Sequence, residues 1–138
     1  MSGRIIVHSL EHARAAVAAA AALGVPVTLV SAPGAGAYAG PSWFKALVDA
    51  AAAAHPETAV TAVIDCGEEP GTVQAALRAG FSRVIFTGPE AARGALADIA
   101  AARGAVLERA GTPALDLRDA SDAEAACRWH LCPAGTAP

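Results

Sequence analysis

The sequence has one lysine in 138 residues, three cysteines, and few aromatics: two Trp, one Tyr and three Phe. Each scarcity excludes something. Ten basic residues against thirteen acidic ones leave a net charge of -3, without the clustered Lys and Arg that a nucleic-acid surface needs. The single lysine, Lys45, falls inside a helical run rather than at a strand end, so a Schiff-base mechanism finds no suitably placed amine. Three cysteines are an odd number, and Cys127 and Cys132 are not at CxxC spacing, so reduced thiols are expected. No Gly-x-Ser-x-Gly elbow marks a serine nucleophile. Long apolar runs are lacking as well. The stretch from Ala13 to Ala39 is broken by Arg14, Gly24, Pro26, Pro33, Gly34 and Gly36, whereas a membrane span needs ~20 continuous apolar residues. Ile5-Ile6-Val7 is shorter than the ~7–15 apolar residues of a secretory leader, so a cytoplasmic location without membrane contact is expected.

What is present is apolar: 54% hydrophobic and 17% charged residues describe a globular chain. One domain is expected over 1–133, with a frayed, disordered tail over 134–138. Strands are predicted over 5–7, 25–30, 60–64, 83–86 and 105–108, with a sixth short one over 114–117. Alanine-rich helices are predicted over 10–23, 43–54, 72–79 and 89–103. A last helix begins at Ser121, whose spacing to Glu124 matches a capping box. Phe44, Leu47, Val48 and Ala51 share one face of the second helix, with Lys45 and Asp49 on the other. Strand and helix alternating over short connections build a parallel sheet with right-handed crossovers. The expected fold class is therefore α/β: a parallel sheet of five strands, six with the short one, half-barrel-like or open flavodoxin-like.

In such sheets ligands bind beyond the carboxyl ends of the strands. Those ends carry His8 and Ser9, the loop from Ser31 to Gly40, the loop from Asp65 to Gly71, Thr87-Gly88, and the segment from Arg109 onward. Asp65 and His8 are the candidate acid/base groups. The two glycine-rich loops lead into helices and offer backbone N–H groups to an anion, so Ser31, Gly34, Gly36 and Gly67 are candidate anion contacts. Gly34-x-Gly36 departs from the dinucleotide fingerprint, since the third glycine is 40 rather than 39 and the loop follows the second strand; no such cofactor is expected. His8-Ser9-Leu10-Glu11-His12 spells H-x-x-E-H, but a strand end and a helix divide its histidines, so no metal is assigned to it. Glu68 and Glu69, beside Asp65, read as a solvated turn whose acids favour the positive end of the next helix.

Three segments carry a family resemblance: Val63-Ile64-Asp65-Cys66-Gly67, the run from Thr72 to Gly80, and Val84-Ile85-Phe86-Thr87-Gly88. Residues 62–96 resemble the last two βα units of phosphate-binding (βα)8-barrel enzymes of the aldolase and epimerase type. The resemblance implies that Thr87 and Gly88, with Gly67, hold a substrate phosphate. The chain has about half the ~250 residues of a full barrel, so an apolar sheet face would stay open unless another copy covers it. A homo-oligomer is the expected partner arrangement. The expected function is a self-associating domain of barrel ancestry, non-catalytic or weakly catalytic. The alternative is a lyase or aldolase-like enzyme that binds a small phosphorylated metabolite at the strand ends.

Overall fold

The computed structural model describes residues 3–133; the expected tail over 134–138 lies outside the described residues. In chain order the elements are β1 (Arg4–Val7), α1 (Leu10–Leu23), β2 (Val27–Ser31), α2 (Ala35–Tyr38), α3 (Pro41–Ala53) and β3 (Val60–Asp65). They continue with α4 (Pro70–Arg78), β4 (Arg83–Ile85), α5 (Glu90–Ala102), β5 (Val106–Glu108), β6 (Leu115–Asp116) and α6 (Ala123–Leu131). The six strands form one parallel sheet in the order β5-β4-β3-β2-β1-β6. From β1 to β5 each strand follows its predecessor without reversal. That is the progression of a βα barrel; a flavodoxin-like order, 2-1-3-4-5, reverses at its start, so the open flavodoxin-like alternative is not the fold. Among the described residues no helix is long and apolar enough to cross a membrane.

Most boundaries shift by a residue or two from the sequence expectation, and three departures have a clear local reason. β2 starts at Val27, because Pro26 has no N–H for a ladder and the Val25 N–H donates to the Ala20 carbonyl as α1 ends. The loop after β2 contains the single turn α2, entered through Gly34 at φ +73°. The capping box from Ser121 does not form: α6 begins at Ala123, and Asp122 is its cap, accepting the Ala125 N–H at 3.0 Å. Glu124 instead pairs with Arg128 one turn on, at 2.8 Å.

Two compact units interleave along the chain. The first comprises residues up to 30, 47–61 and from 113 onward; the second comprises 31–46 and 62–112. In the first unit, α1 buries Ala13, Ala16, Val17, Ala19 and Ala20 and packs on α6, which contributes Cys127 and Leu131. Ser9 caps α1 by accepting the His12 N–H at 3.1 Å, and Gly24 in the left-handed region ends it. β6 pairs with β1 through Ile5↔Leu115 and Ile6↔Asp116, and the fully buried Leu117 follows.

The core of the second unit is built from Phe44, Val63, Ile64, Val73, Phe81, Val84, Phe86 and Leu96. Phe44 and Phe81 stack with ring centroids 6.2 Å apart. β3, β4 and β5 run in register so that Asp65 lies beside Ile85, and Ile85 beside Glu108. Three strands therefore end in one row, and that row positions the site.

Candidate active site

Asp65 closes β3 and is buried. Its Oδ1 accepts two backbone N–H groups, from Gly67 at 2.9 Å and from Gly34 at 3.1 Å. Its own N–H donates to Ser31 Oγ at 2.8 Å, while the Ser31 hydroxyl donates to the Ala32 carbonyl. Gly34 and Gly67 adopt φ of +73° and +59°, a region that L side chains rarely enter, and both turn an amide toward the same carboxylate oxygen. Oδ2 has no hydrogen-bond partner among the described residues and is not sealed from solvent. One oxygen of Asp65 thus ties two loops together, and the other faces outward.

The remaining candidates of this unit gather around that knot. The Thr87 N–H donates to the Gly67 carbonyl at 2.8 Å, and the Cys66 N–H to the Ile85 carbonyl at 2.9 Å. Gly36 touches the end of β3: a Cβ there would lie 3.1 Å from both the Asp65 carbonyl oxygen and Cys66 Sγ. Gly88 sits against Phe86 and the Glu68 carbonyl. Ser31, Gly34, Gly36, Asp65, Gly67, Thr87 and Gly88 therefore belong to one constellation. The amides of Gly34, Gly67 and Thr87 already have acceptors inside the chain, so an anion here would compete with Asp65 Oδ1 and the Gly67 carbonyl for them. His8 belongs to the other unit, where its Nε2 lies 2.6 Å from Asp116 Oδ1.

Two cations lie near this rim: Arg109, at a strand end singled out from the sequence, and Arg93, which the sequence reading missed. Arg93 donates from Nη2 to the Phe86 carbonyl, lies 5.4 Å over the Phe86 ring and approaches Glu90 at 3.6 Å. Arg109 pairs with the same Glu90 from the end of β5. The hydrogen bond from Arg109, and the charges of Arg109 and Arg93, hold the Glu90 carboxyl below its ordinary range. The available signal was positional: Arg93 falls three residues after Glu90, in the first turn of the helix that leaves β4. Asp116 was missed as well, although it ends a short strand just as Asp65 does.

Glu68 and Glu69 are exposed, in line with a solvated turn. Among the described residues no three His, Cys, Asp or Glu side chains are grouped to hold a metal ion. Cys66, directly after Asp65, is fully buried, and burial with the neighbouring Asp65 charge pushes its thiol up to about 12. A thiol this weakly acidic is not a nucleophile at neutral pH. Burial, with the Glu124 charge, likewise pushes Cys127 up to about 12.

Folding therefore suppresses ionisation of both thiols. Their contribution to stability is intact below the ordinary thiol value of 9.0 and is lost as pH rises through about 12. Iodoacetamide at mildly alkaline pH is expected to leave Cys66 and Cys127 unmodified in the native chain and to alkylate both in denaturant. Rapid native alkylation, read by peptide mass spectrometry, contradicts this.

Comparison with known proteins extends the resemblance well beyond 62–96. The family described as fructose-bisphosphate aldolase class-II matches residues 2–95. The chain is 37% identical over 82 residues to the plasmid fructose-bisphosphate aldolase of Cupriavidus necator, covering 59% of this chain and 24% of that protein. It is 37% identical over 82 residues to fructose-bisphosphate aldolase of Xanthobacter flavus, and 34% over 82 to that of a Nostoc species. Each of these covers 59% of this chain and 23% of the relative. The matched segment thus spans under a quarter of the curated relatives' length. The family match covers well over half of the chain and contains the whole knot of Ser31, Asp65, Gly67 and Thr87, and on that basis the chain belongs to the class-II fructose-bisphosphate aldolase family.

Proposed function

We propose that this chain binds a phosphorylated sugar of the fructose-bisphosphate class at the rim formed by the ends of β2, β3 and β4, with Asp65 as the proton-exchanging group. The outward Oδ2 of Asp65 carries the reading, because it is a carboxylate oxygen whose partner oxygen is already fixed by two amides. Aldol cleavage needs a base that takes a hydroxyl proton while the carbon–carbon bond breaks, and a pre-oriented carboxylate suits that step. Arg93 and Arg109 supply positive charge for a phosphate on the same rim, and Gly88 precedes Arg93 by five residues. The aldolase relatives have about four times the length of the matched segment.

A second reading, a self-associating domain without catalysis, is favoured by one observation: the Gly34, Gly67 and Thr87 amides all have internal acceptors. Titration calorimetry with fructose bisphosphate, together with a cleavage assay that follows triose phosphate, separates the two. The aldolase-type reading expects binding, and an Asp65→Asn variant that still binds but cleaves at least ~10²-fold more slowly. Binding of neither fructose bisphosphate nor inorganic phosphate at millimolar concentration, with a dimer in light scattering, would favour the second reading.

A further inference from the structure

The aldolase-type rim leaves one titratable cluster unused, in the other unit. We infer that His8 and Asp116 form a proton-transfer dyad at the C-terminal end of β1. Asp116 is its positioning residue, and the Nδ1 lone pair of His8 accepts a proton from a hydroxyl-bearing ligand. The ladder creates the pair. Ile6 is in register with Asp116, and the Leu117 N–H donates to the Ile6 carbonyl at 3.1 Å, which sets Asp116 beside the strand end where His8 emerges. His8 Nε2 then lies 2.6 Å from Asp116 Oδ1, a distance typical of a charge-assisted contact. The carboxylate is itself anchored, because its Oδ1 also accepts the Arg118 N–H at 2.9 Å.

The protonation pattern follows from the partners. Burial works to raise the Asp116 pKa, but the hydrogen bonds from the Arg118 amide and from His8, with the charges of both residues, outweigh it and hold the carboxyl below its ordinary range. An ionised carboxylate only accepts, so a neutral His8 must carry its proton on Nε2 and its lone pair on Nδ1. Nδ1 has no partner among the described residues and is not sealed from solvent. His12 completes the frame. Its Nδ1 accepts the His8 N–H at 3.1 Å, and its ring stands edge-on to His8 at 5.8 Å. A hydroxyl proton passing to Nδ1 leaves an alkoxide and an imidazolium, and Asp116 stabilises the imidazolium. Asp116 lies beyond the family-matched residues 2–95, so the dyad joins that segment to the C-terminal part of the chain.

The ligand is defined by its hydroxyl alone, independently of the sugar phosphate proposed for the other unit, and the dyad can be tested without it. Long-range proton–nitrogen spectra of the full chain labelled at histidine, recorded where the imidazoles are neutral, are expected to show His8 protonated at Nε2. Diethyl pyrocarbonate transfers its carbethoxyl group to an unprotonated imidazole nitrogen with loss of ethanol and carbon dioxide. It is expected to modify His8 several-fold faster than His55, read by peptide mass spectrometry. Asp116→Asn keeps the size of the side chain but removes its charge, and is expected to abolish that advantage while His55 is unchanged. Protonation of wild-type His8 at Nδ1, or a His8 rate equal to that of His55 and indifferent to Asp116→Asn, would overturn the dyad. An intact Nε2–H pattern in a chain that ignores fructose bisphosphate would sink the sugar-phosphate reading and leave the dyad standing.

Discussion

Replacing Asp65 with alanine is expected to lower the unfolding free energy by about 3 kcal/mol and the melting temperature by roughly 10 °C. The carboxylate makes two charge-assisted hydrogen bonds, to the Gly34 and Gly67 amides, from a buried position at the end of β3. Alanine removes the shared acceptor and leaves two half-buried donors facing a gap. Asparagine retains an oxygen at the same place and gives up only the charge, so Asp65→Asn should cost about 1 kcal/mol. The ratio between the two variants is the informative quantity. Equal and small losses in a urea titration would mean that Asp65 does not tie the loops, and the oriented Oδ2 behind the proposed proton transfer would lose its support. Ser31→Ala gives a milder effect, because the Asp65 N–H that it abandons is a neutral donor.

How far the sequence could be read depended on the range of the interaction. β-branched runs and glycine stops located the strands, and the apolar face of Phe44, Leu47, Val48 and Ala51 emerged buried as its spacing required. Strand ends then predicted the neighbourhood of Ser31, Asp65 and Thr87, because in a parallel sheet every carboxyl end lies on one edge. What the pattern could not supply was pairing across long separations. Nothing local to His8 points to Asp116, 108 residues away, although the short strand that carries Asp116 was expected over 114–117. The helix start at Ser121 failed at the opposite scale, since Ser121 and Asp122 are both good caps and only the approach of the chain decides between them. The phosphate assignment to Thr87 and Gly67 was read from family likeness, and the internal bonds of their amides add a competition that no composition could reveal.

Gly88→Ala is expected to destabilise the chain by about 3 kcal/mol, the upper range for forcing a methyl group into a packed site. A Cβ at Gly88 would stand 2.5 Å from the tip of the Phe86 ring and 3.0 Å from the Glu68 carbonyl oxygen. Neither neighbour can give way easily: Phe86 is fully buried with Arg93 lying over its ring, and the Glu68 carbonyl is backbone. The backbone at Gly88 is not left-handed, so the penalty is one of contact rather than of φ. Gly94 separates these two causes. It lies within α5 with open space where its Cβ would go, and Gly94→Ala should stabilise by about 0.5–1 kcal/mol through helix propensity. Opposite signs in the two alanine variants would locate the tight packing at the turn after β4. A neutral Gly88→Ala would mean that Phe86 swings aside, and the close fit of this turn against the β3 loop would then not constrain how a phosphate enters the rim.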